Sequence, residues 1–183
     1  MVVIVISGQP GCGSSTVAKL LAKKLKLRHF SVGDYNKRHI KNAKETEKSI
    51  MMWKTKKGSS KKFHIDSDEL ARRHAKKGNI VIDGKLQVRL SKGLYDLGVW
   101  LKAPKSVRSK RYAKRDKISF SGAKKRLNEK ESLERKNWLR IYGFDYFAQE
   151  KEADMVIDTA RKKPEEIVGL IIKRLKGIKT KGE

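Results

Sequence analysis

The chain has a single cysteine in 183 residues, so no internal disulfide can form and a reducing compartment is the expected setting. Long apolar runs are missing as well. The longest, Met1 to Ile6, is broken by Gly8 and falls short of a membrane span or a secretory core. A cytoplasmic location with no membrane partner is therefore expected. Acid is scarce: 20 Asp and Glu stand against 46 Lys and Arg, a formal charge of +26. A field of that sign attracts polyanions, whether nucleotides, RNA, DNA or anionic surfaces, and charge alone does not choose among them. The lysines run from Lys19 to Lys181 instead of gathering in a tail, the pattern of a solvated surface more than of a dedicated nucleic-acid site. Repeats and metal-ligand spacings are absent too. The isolated histidines at 29, 39, 64 and 74 read as surface or packing residues. With 38% hydrophobic residues, one domain over 1–183 suffices to bury a core.

What is present begins at the amino end. Val2-Val3-Ile4-Val5-Ile6 reads as a buried strand and Val17, Leu20, Leu21 and Leu25 as one face of a helix, with a glycine-punctuated segment between them. Glycines at 8, 11 and 13 allow successive N–H groups to converge on an anion at the helix N-terminus. Gly8 and Gly13 have the spacing of the G-x-x-x-x-G-K-[ST] phosphate loop, and Ser15 stands where a magnesium-binding hydroxyl belongs, with Thr16 after it. The lysine of that pattern is Ser14 here, which keeps the backbone nest and removes a point charge. Gln9, Pro10, Gly11 and Cys12 complete the candidate phosphate site, Cys12 as a small packing residue. A glycine-rich turn kept for packing is the plainer alternative.

Further along, His29-Phe30-Ser31-Val32 predicts a second strand, and Asp34 after Gly33 predicts a helix cap with Lys37 and Arg38 one turn on. Lys41 to Lys62, with Met51, Met52, Trp53 and the turn Gly58-Ser59-Ser60, reads as a mobile cover and not as core. Asp66 and Glu69 form a capping-box pattern for a helix to Lys77. Ile80-Val81-Ile82-Asp83 is a buried-type strand ending in a carboxylate. At the carboxyl end of a parallel strand, Asp83 would border the ligand crevice and hold a magnesium-bound water; a turn residue is its other reading. Leu97 to Leu101 is the next strand. On the helix after Ala103-Pro104, Arg108, Arg111 and Arg115 share one face, either a phosphate clamp or a solvated stripe. Asp116 to Gly122 is expected to be loop, and about Ala123 to Tyr142 helix. Met155 to Thr159 and the helix from Pro164 end the pattern. Strands and helices alternate through five strands, which specifies an α/β fold with a parallel sheet covered on both faces.

In their order and spacing, the phosphate loop, Ser31-Val32-Gly33-Asp34, Ile80 to Leu86, Trp100 to Pro104, Ile141-Tyr142-Gly143 and Val156-Ile157-Asp158-Thr159 resemble the nucleoside monophosphate kinases. The resemblance is greatest to the archaeal type of cytidylate kinase and covers nearly the whole chain. It implies a P-loop nucleoside monophosphate kinase fold with an acceptor-binding insert at about 34–77 and a helical lid at about 108–142, closing around Lys114 to Ser121. The implied reaction is transfer from ATP with Mg2+ to CMP or dCMP by a monomer. In that reading the loop holds the donor, Ser31, Gly33, Asp34, Lys37 and Lys85 hold the acceptor, and Ser15 and Asp83 hold the metal. Asp83, Arg111 and Arg115 serve the transfer.

The chain departs from the family's pattern at Ser14, and also at Lys37, Lys85 and Asn137, where arginines are expected. Lysine supplies charge without the bidentate fork. Lys19, Arg111 and Arg115 are candidates for the missing charge. These departures and the +26 charge motivate a second reading, an RNA- or ribosome-associated nucleotide-binding protein that keeps the fold with weak or no transferase activity.

Overall fold

β-branched residues fill the first strand, β1 (Val3–Gly8), and every one of its positions is buried. Such a strand can only be central. In the computed structural model, which describes residues 1–40 and 43–179, β1 lies in the middle of a five-stranded sheet with all neighbours parallel. The other strands are β2 (Arg28–Ser31), β3 (Ile80–Asp83), β4 (Leu97–Lys102) and β5 (Met155–Asp158), and their order is β2-β3-β1-β4-β5. Parallel strands need crossovers. These are supplied by α1 (Ser14–Leu25), α2 (Val32–Lys37), α3 (Glu45–Lys54), α4 (Lys61–Lys76), the short α5 (Gln87–Leu90), α6 (Lys105–Asp116) and α7 (Phe120–Tyr142) with a 3-10 turn at Tyr146–Lys151, and α8 (Pro164–Lys179) follows the last strand.

The two faces of the sheet bury different helices. On one, Ile4, Ile6 and Val99 pack with Val17 and Leu21 of α1 and Val168 and Ile171 of α8. On the other, Val3, Val5 and Ile82 pack with Ala71 and Ala75 of α4. A third cluster joins Met52 and Trp53 of α3, Trp100 of β4, and Trp138 and Ile141 of α7. Register places Asp83 opposite both Ile6 and Ser31. The carboxyl ends of three adjacent strands therefore converge at the point where α1 begins.

Several local expectations are corrected. The segment read as a mobile cover is helical from Glu45, and Thr46, Ser49, Ile50 and Trp53, at i, i+3, i+4 and i+7, are buried. Lys41, where that expectation began, lies outside the described residues, as does Lys181. The turn at Gly58 is tightly packed, since a Cβ there would meet the Met52 carbonyl oxygen at 2.0 Å. Asp66 caps nothing: Ser60 accepts from Phe63 N–H at 3.3 Å and starts α4 earlier, and Asp66 pairs with Lys62 one turn inside. Asp34 likewise yields its capping role to Ser31, whose Oγ accepts from the Asp34 N–H at 3.2 Å. The expected loop over 116–122 shrinks because α6 runs to Asp116 and Ser119 caps α7 by accepting from Gly122 N–H at 3.1 Å.

Candidate functional site

The glycine loop is shaped by what lies behind it. Gly8 passes so close to β4 that a Cβ would stand 2.3 Å from the Leu101 carbonyl oxygen, and Gln9 N–H donates to that same oxygen at 3.1 Å. Gly13 has φ 96°, a left-handed conformation that only glycine adopts freely, and serves as N-cap of α1. Alternate carbonyls of the loop are engaged by side chains: Gly8 O accepts from Lys85 Nζ at 2.8 Å, Pro10 O from Arg108 Nη1 at 3.1 Å, and Cys12 O from Arg111 Nη1 at 3.1 Å and Thr159 Oγ1 at 2.9 Å. By contrast the N–H groups of Gly11 and Gly13 reach no acceptor among the described residues. Cys12 itself is buried and packs.

Beside the loop lies Asp83, only 3% exposed. Its carboxylate accepts from Ser31 Oγ at 2.8 Å, lies 3.2 Å from His29 Nε2 and 3.5 Å from Ser15 Oγ. A turn residue would face solvent; this one is held by three neighbours at the junction of β2, β3 and α1. His29 was legible in the sequence only as an isolated residue, because its partner lies 54 positions away. A cavity of about 650 Å3 opens over this point. Pro10, Gly11, Cys12, Gly13, Ser14, Ser15 and Thr16 line it on one side. Ser31, Gly33, Asp34, Lys37, Asp83, Lys85, Arg111 and Arg115 line it too. Gly8 and Gln9 lie outside its lining, where Gln9 Oε1 accepts from Ala103 N–H at 3.2 Å.

The arginine stripe on α6 is not uniform: Arg108 is buried, Arg111 half-buried and Arg115 exposed. Arg108, 5% exposed, is consumed by the Glu131 carboxylate, the Ala103 carbonyl and Pro10 O. Arg111 spreads over Cys12 O, Thr159 Oγ1 at 2.8 Å and Thr159 O at 2.6 Å, which ties the loop to the end of β5. Arg115 bonds Asp116 at 2.9 Å and the Thr46 hydroxyl of α3. Lys19 is exposed, outside the cavity lining, and pairs with Asp34 at 3.5 Å. Asn137 turns to the Leu133 carbonyl of its own helix. Burial pushes the Lys85 ammonium's pKa down, with Cys12 and Glu134 acting the other way.

The far wall was not anticipated. Trp53, His64, Asp68, Gln87 and Trp138 also line the cavity. Asp68 accepts from the Tyr142 hydroxyl and from Gln87 Nε2 at 3.0 Å. Burial pushes its carboxyl up to about 6, against the pull of those two hydrogen bonds. Burial takes His64 down to about 4 while Nε2 meets the Gly58 carbonyl at 2.8 Å and the ring stacks on Trp53 at 4.3 Å. The available signal was the spacing of His64, Asp68, Ala71 and Ala75, one inward stripe of α4.

Free amides curled at a helix start beside a strand-end carboxylate, on a parallel sheet with this strand order, define a P-loop kinase. In agreement, the solved structure of shikimate kinase from Aquifex aeolicus vf5 superposes with a TM-score of 0.59 at 21% identity, covering 96% of each chain; that likeness speaks for the fold. The family follows from sequence. Residues 3–161 match the cytidylate kinase-like family, and the chain belongs to it. It is similar to the cytidylate kinase of Ignicoccus hospitalis, at 35% identity over 96% of this chain and 99% of that one. The cytidylate kinase of Sulfurisphaera tokodaii is 34% identical over 92% of both chains. Among the described residues no helix is long and apolar enough to cross a membrane.

Proposed function

We propose that the protein transfers a phosphoryl group from ATP to a pyrimidine nucleoside monophosphate, CMP or dCMP, with Mg2+. The observation that carries this reading is the convergence, on one cavity, of unpartnered loop amides, the Asp83 carboxylate and a second wall built from α2 to α4. Related chains named cytidylate kinase support it.

Phosphoryl transfer asks little covalent chemistry of a protein; alignment and charge neutralisation dominate. The Gly11 and Gly13 amides would hold the donor's phosphates at the start of α1. Lys85 and Arg115 place positive charge on the same cavity. Asp34 and Lys37 would border the acceptor from α2. For the metal, the donor chemistry fits: Ser15 Oγ and Asp83 Oδ1, both hard oxygen donors, are 3.5 Å apart beside the loop. No group of three or more His, Cys, Asp or Glu suited to a metal exists among the described residues, so the rest of the ion's shell would be water and phosphate oxygen. When bound, Mg2+ supplies neutralisation of phosphate charge. Asp83 keeps its orientation through Ser31 and His29. Helices α3, α6 and α7, bridged by Thr46 with Asp116 and by Lys130 with Ser49, would exclude water that would otherwise hydrolyse ATP. The protein would act in the cytoplasm as a monomer.

The test is ADP release coupled to a panel of CMP, dCMP, UMP, AMP and GMP. Turnover with CMP or dCMP that collapses in Asp83→Ala supports the proposal. Absence of turnover with every monophosphate refutes it, and RNA affinity falling steeply with salt would then favour the RNA-associated alternative.

A further inference from the structure

We propose that Asp68 is the specificity-determining residue for the acceptor's base, its carboxylate accepting a hydrogen bond from the exocyclic amine of an aminopyrimidine. This rests on the kinase reading above and names what selects its substrate.

The wall formed by α3, α4, α5 and α7 has the composition of a site for a flat heterocycle. Trp53 and His64 stack face to face at 4.3 Å with 23° between planes, and Trp138 stands edge-on to Trp53 at 5.6 Å. All three line the cavity. Aromatic faces bind any base and discriminate little among them. Discrimination needs a polar group of fixed character, and Asp68, 8% exposed, is the carboxylate set among these rings.

Both neighbours of Asp68 are donors. Gln87 Nε2 occupies Oδ1 and the Tyr142 hydroxyl occupies Oδ2. Gln87 is fully buried and cannot be turned elsewhere without loss, since its Oε1 accepts from Ser91 Oγ at 2.8 Å. An ionised carboxylate offers about four lone-pair positions, so two remain, and both can only accept. The 4-amino group of cytosine donates; the 4-carbonyl of uracil presents a lone pair to a lone pair. A buried acceptor left unmatched is costly, which makes such a site reject the wrong base strongly. Gln87 and Tyr142 are positioning residues in this scheme: they hold the carboxylate and touch no substrate.

Two further polar atoms on the same cavity wait for a partner. Asn36 Oδ1 and Trp53 Nε1 are buried and find no hydrogen bond among the described residues. A wall carrying an unpaired donor and an unpaired acceptor beside a half-used carboxylate is built for a ligand with several hydrogen-bonding edges.

The experiment uses the unaltered protein first. Titration calorimetry compares CMP, UMP and a CMP analogue dimethylated at the 4-amino nitrogen, which keeps the ring and loses both donors. Binding of CMP at least tenfold tighter than both others is expected; equal affinity for CMP and the dimethyl analogue overturns the inference. Steady-state kinetics then compares Asp68→Asn and Tyr142→Phe with the parent. The expected result is a CMP-to-UMP ratio of kcat/KM that falls at least tenfold in Asp68→Asn, through KM for CMP, and less in Tyr142→Phe. Because the ratio is taken within one preparation, partial unfolding cancels from it. A loss that is equal for both bases shows a structural role and refutes the assignment. If no monophosphate is bound or phosphorylated, the kinase reading fails and this inference with it; turnover without base discrimination defeats the inference alone.

Discussion

His64 and Asp68 sit one turn apart on α4 and should impose opposite pH slopes on stability. His64 faces Trp53 of α3, Arg140 of α7 and the Gly58 carbonyl. Its pKa falls from 6.5 to about 4, so the unfolded chain takes up a proton that the folded chain refuses. The stability it contributes is present above pH 6.5 and is lost as pH falls toward 4. Asp68 faces Tyr142 of α7 and Gln87 of α5, and its pKa rises from 3.8 to about 6. Its contribution is present below pH 3.8 and is lost as pH rises through about 6. At 1.36 kcal/mol per unit, each group is worth roughly 3 kcal/mol. Between pH 4 and 6 the two nearly cancel. Urea denaturation at half-unit pH intervals should expose the pair through difference curves, since carboxylates shared by parent and variant subtract out. Parent minus His64→Leu should rise by about 3 kcal/mol from pH 4 to 6.5, and parent minus Asp68→Asn should fall by about 3 kcal/mol from pH 4 to 6. Difference curves that are flat, or of the same sign, refute the burial assigned to these groups.

Gly8→Ala should cost about 1–3 kcal/mol in urea denaturation, because its Cβ would lie 2.3 Å from the Leu101 oxygen that Gln9 also uses; unchanged stability would deny that close approach. Ser14→Lys should tighten ATP binding or leave it unchanged if the outer phosphates lie beside position 14, and a calorimetric loss beyond tenfold, about 1.4 kcal/mol, places them elsewhere. Arg111→Met removes the donor shared by Cys12 and Thr159. It should weaken ATP by about tenfold with circular dichroism unchanged, and full affinity in that variant would show that the loop holds its shape without it.

Those features that depend on near neighbours were legible in the sequence. The β-branched run of β1, the glycine spacing, the alternation of strand and helix, and the carboxylate ending β3 all followed from patterns a few residues long. What failed was decided by distant partners. Arg108 reads as part of an outward face until Glu131, 23 positions on, neutralises it in the interior. The segment around Met52 and Trp53 looked mobile because lysines surround it, yet its i, i+3, i+4, i+7 stripe is buried by α7. Asp66 offered a plausible cap, but Ser60 offered one earlier. The earlier start carries Phe63 and His64 into the helix, so that His64 is buried against Trp53. Asp68 was unreadable as a site residue since Gln87 lies 19 positions away and Tyr142 lies 74.

The conformation of the loop is set without the side chain at position 14. In a trans peptide the carbonyl and the next N–H point in opposite directions. Lys85 takes the Gly8 carbonyl, and the next amide, on Gln9, points away to Leu101. By the same geometry, Arg108 on Pro10 O turns the Gly11 amide away from α6, and Arg111 with Thr159 on Cys12 O does so for Gly13. Both of these amides reach no acceptor among the described residues, and they precede the open N–H groups of the first turn of α1. The groups that set them come from α6 and from Thr159 just past β5, and none from residue 14. An ammonium group at that position would add charge in front of the nest without shaping it. In the proposed kinase reading Arg108 and Arg111 would therefore serve a bound phosphate at one remove, through the peptide planes they orient, and replacing either by lysine would keep the charge while losing the fork that reaches several acceptors at once.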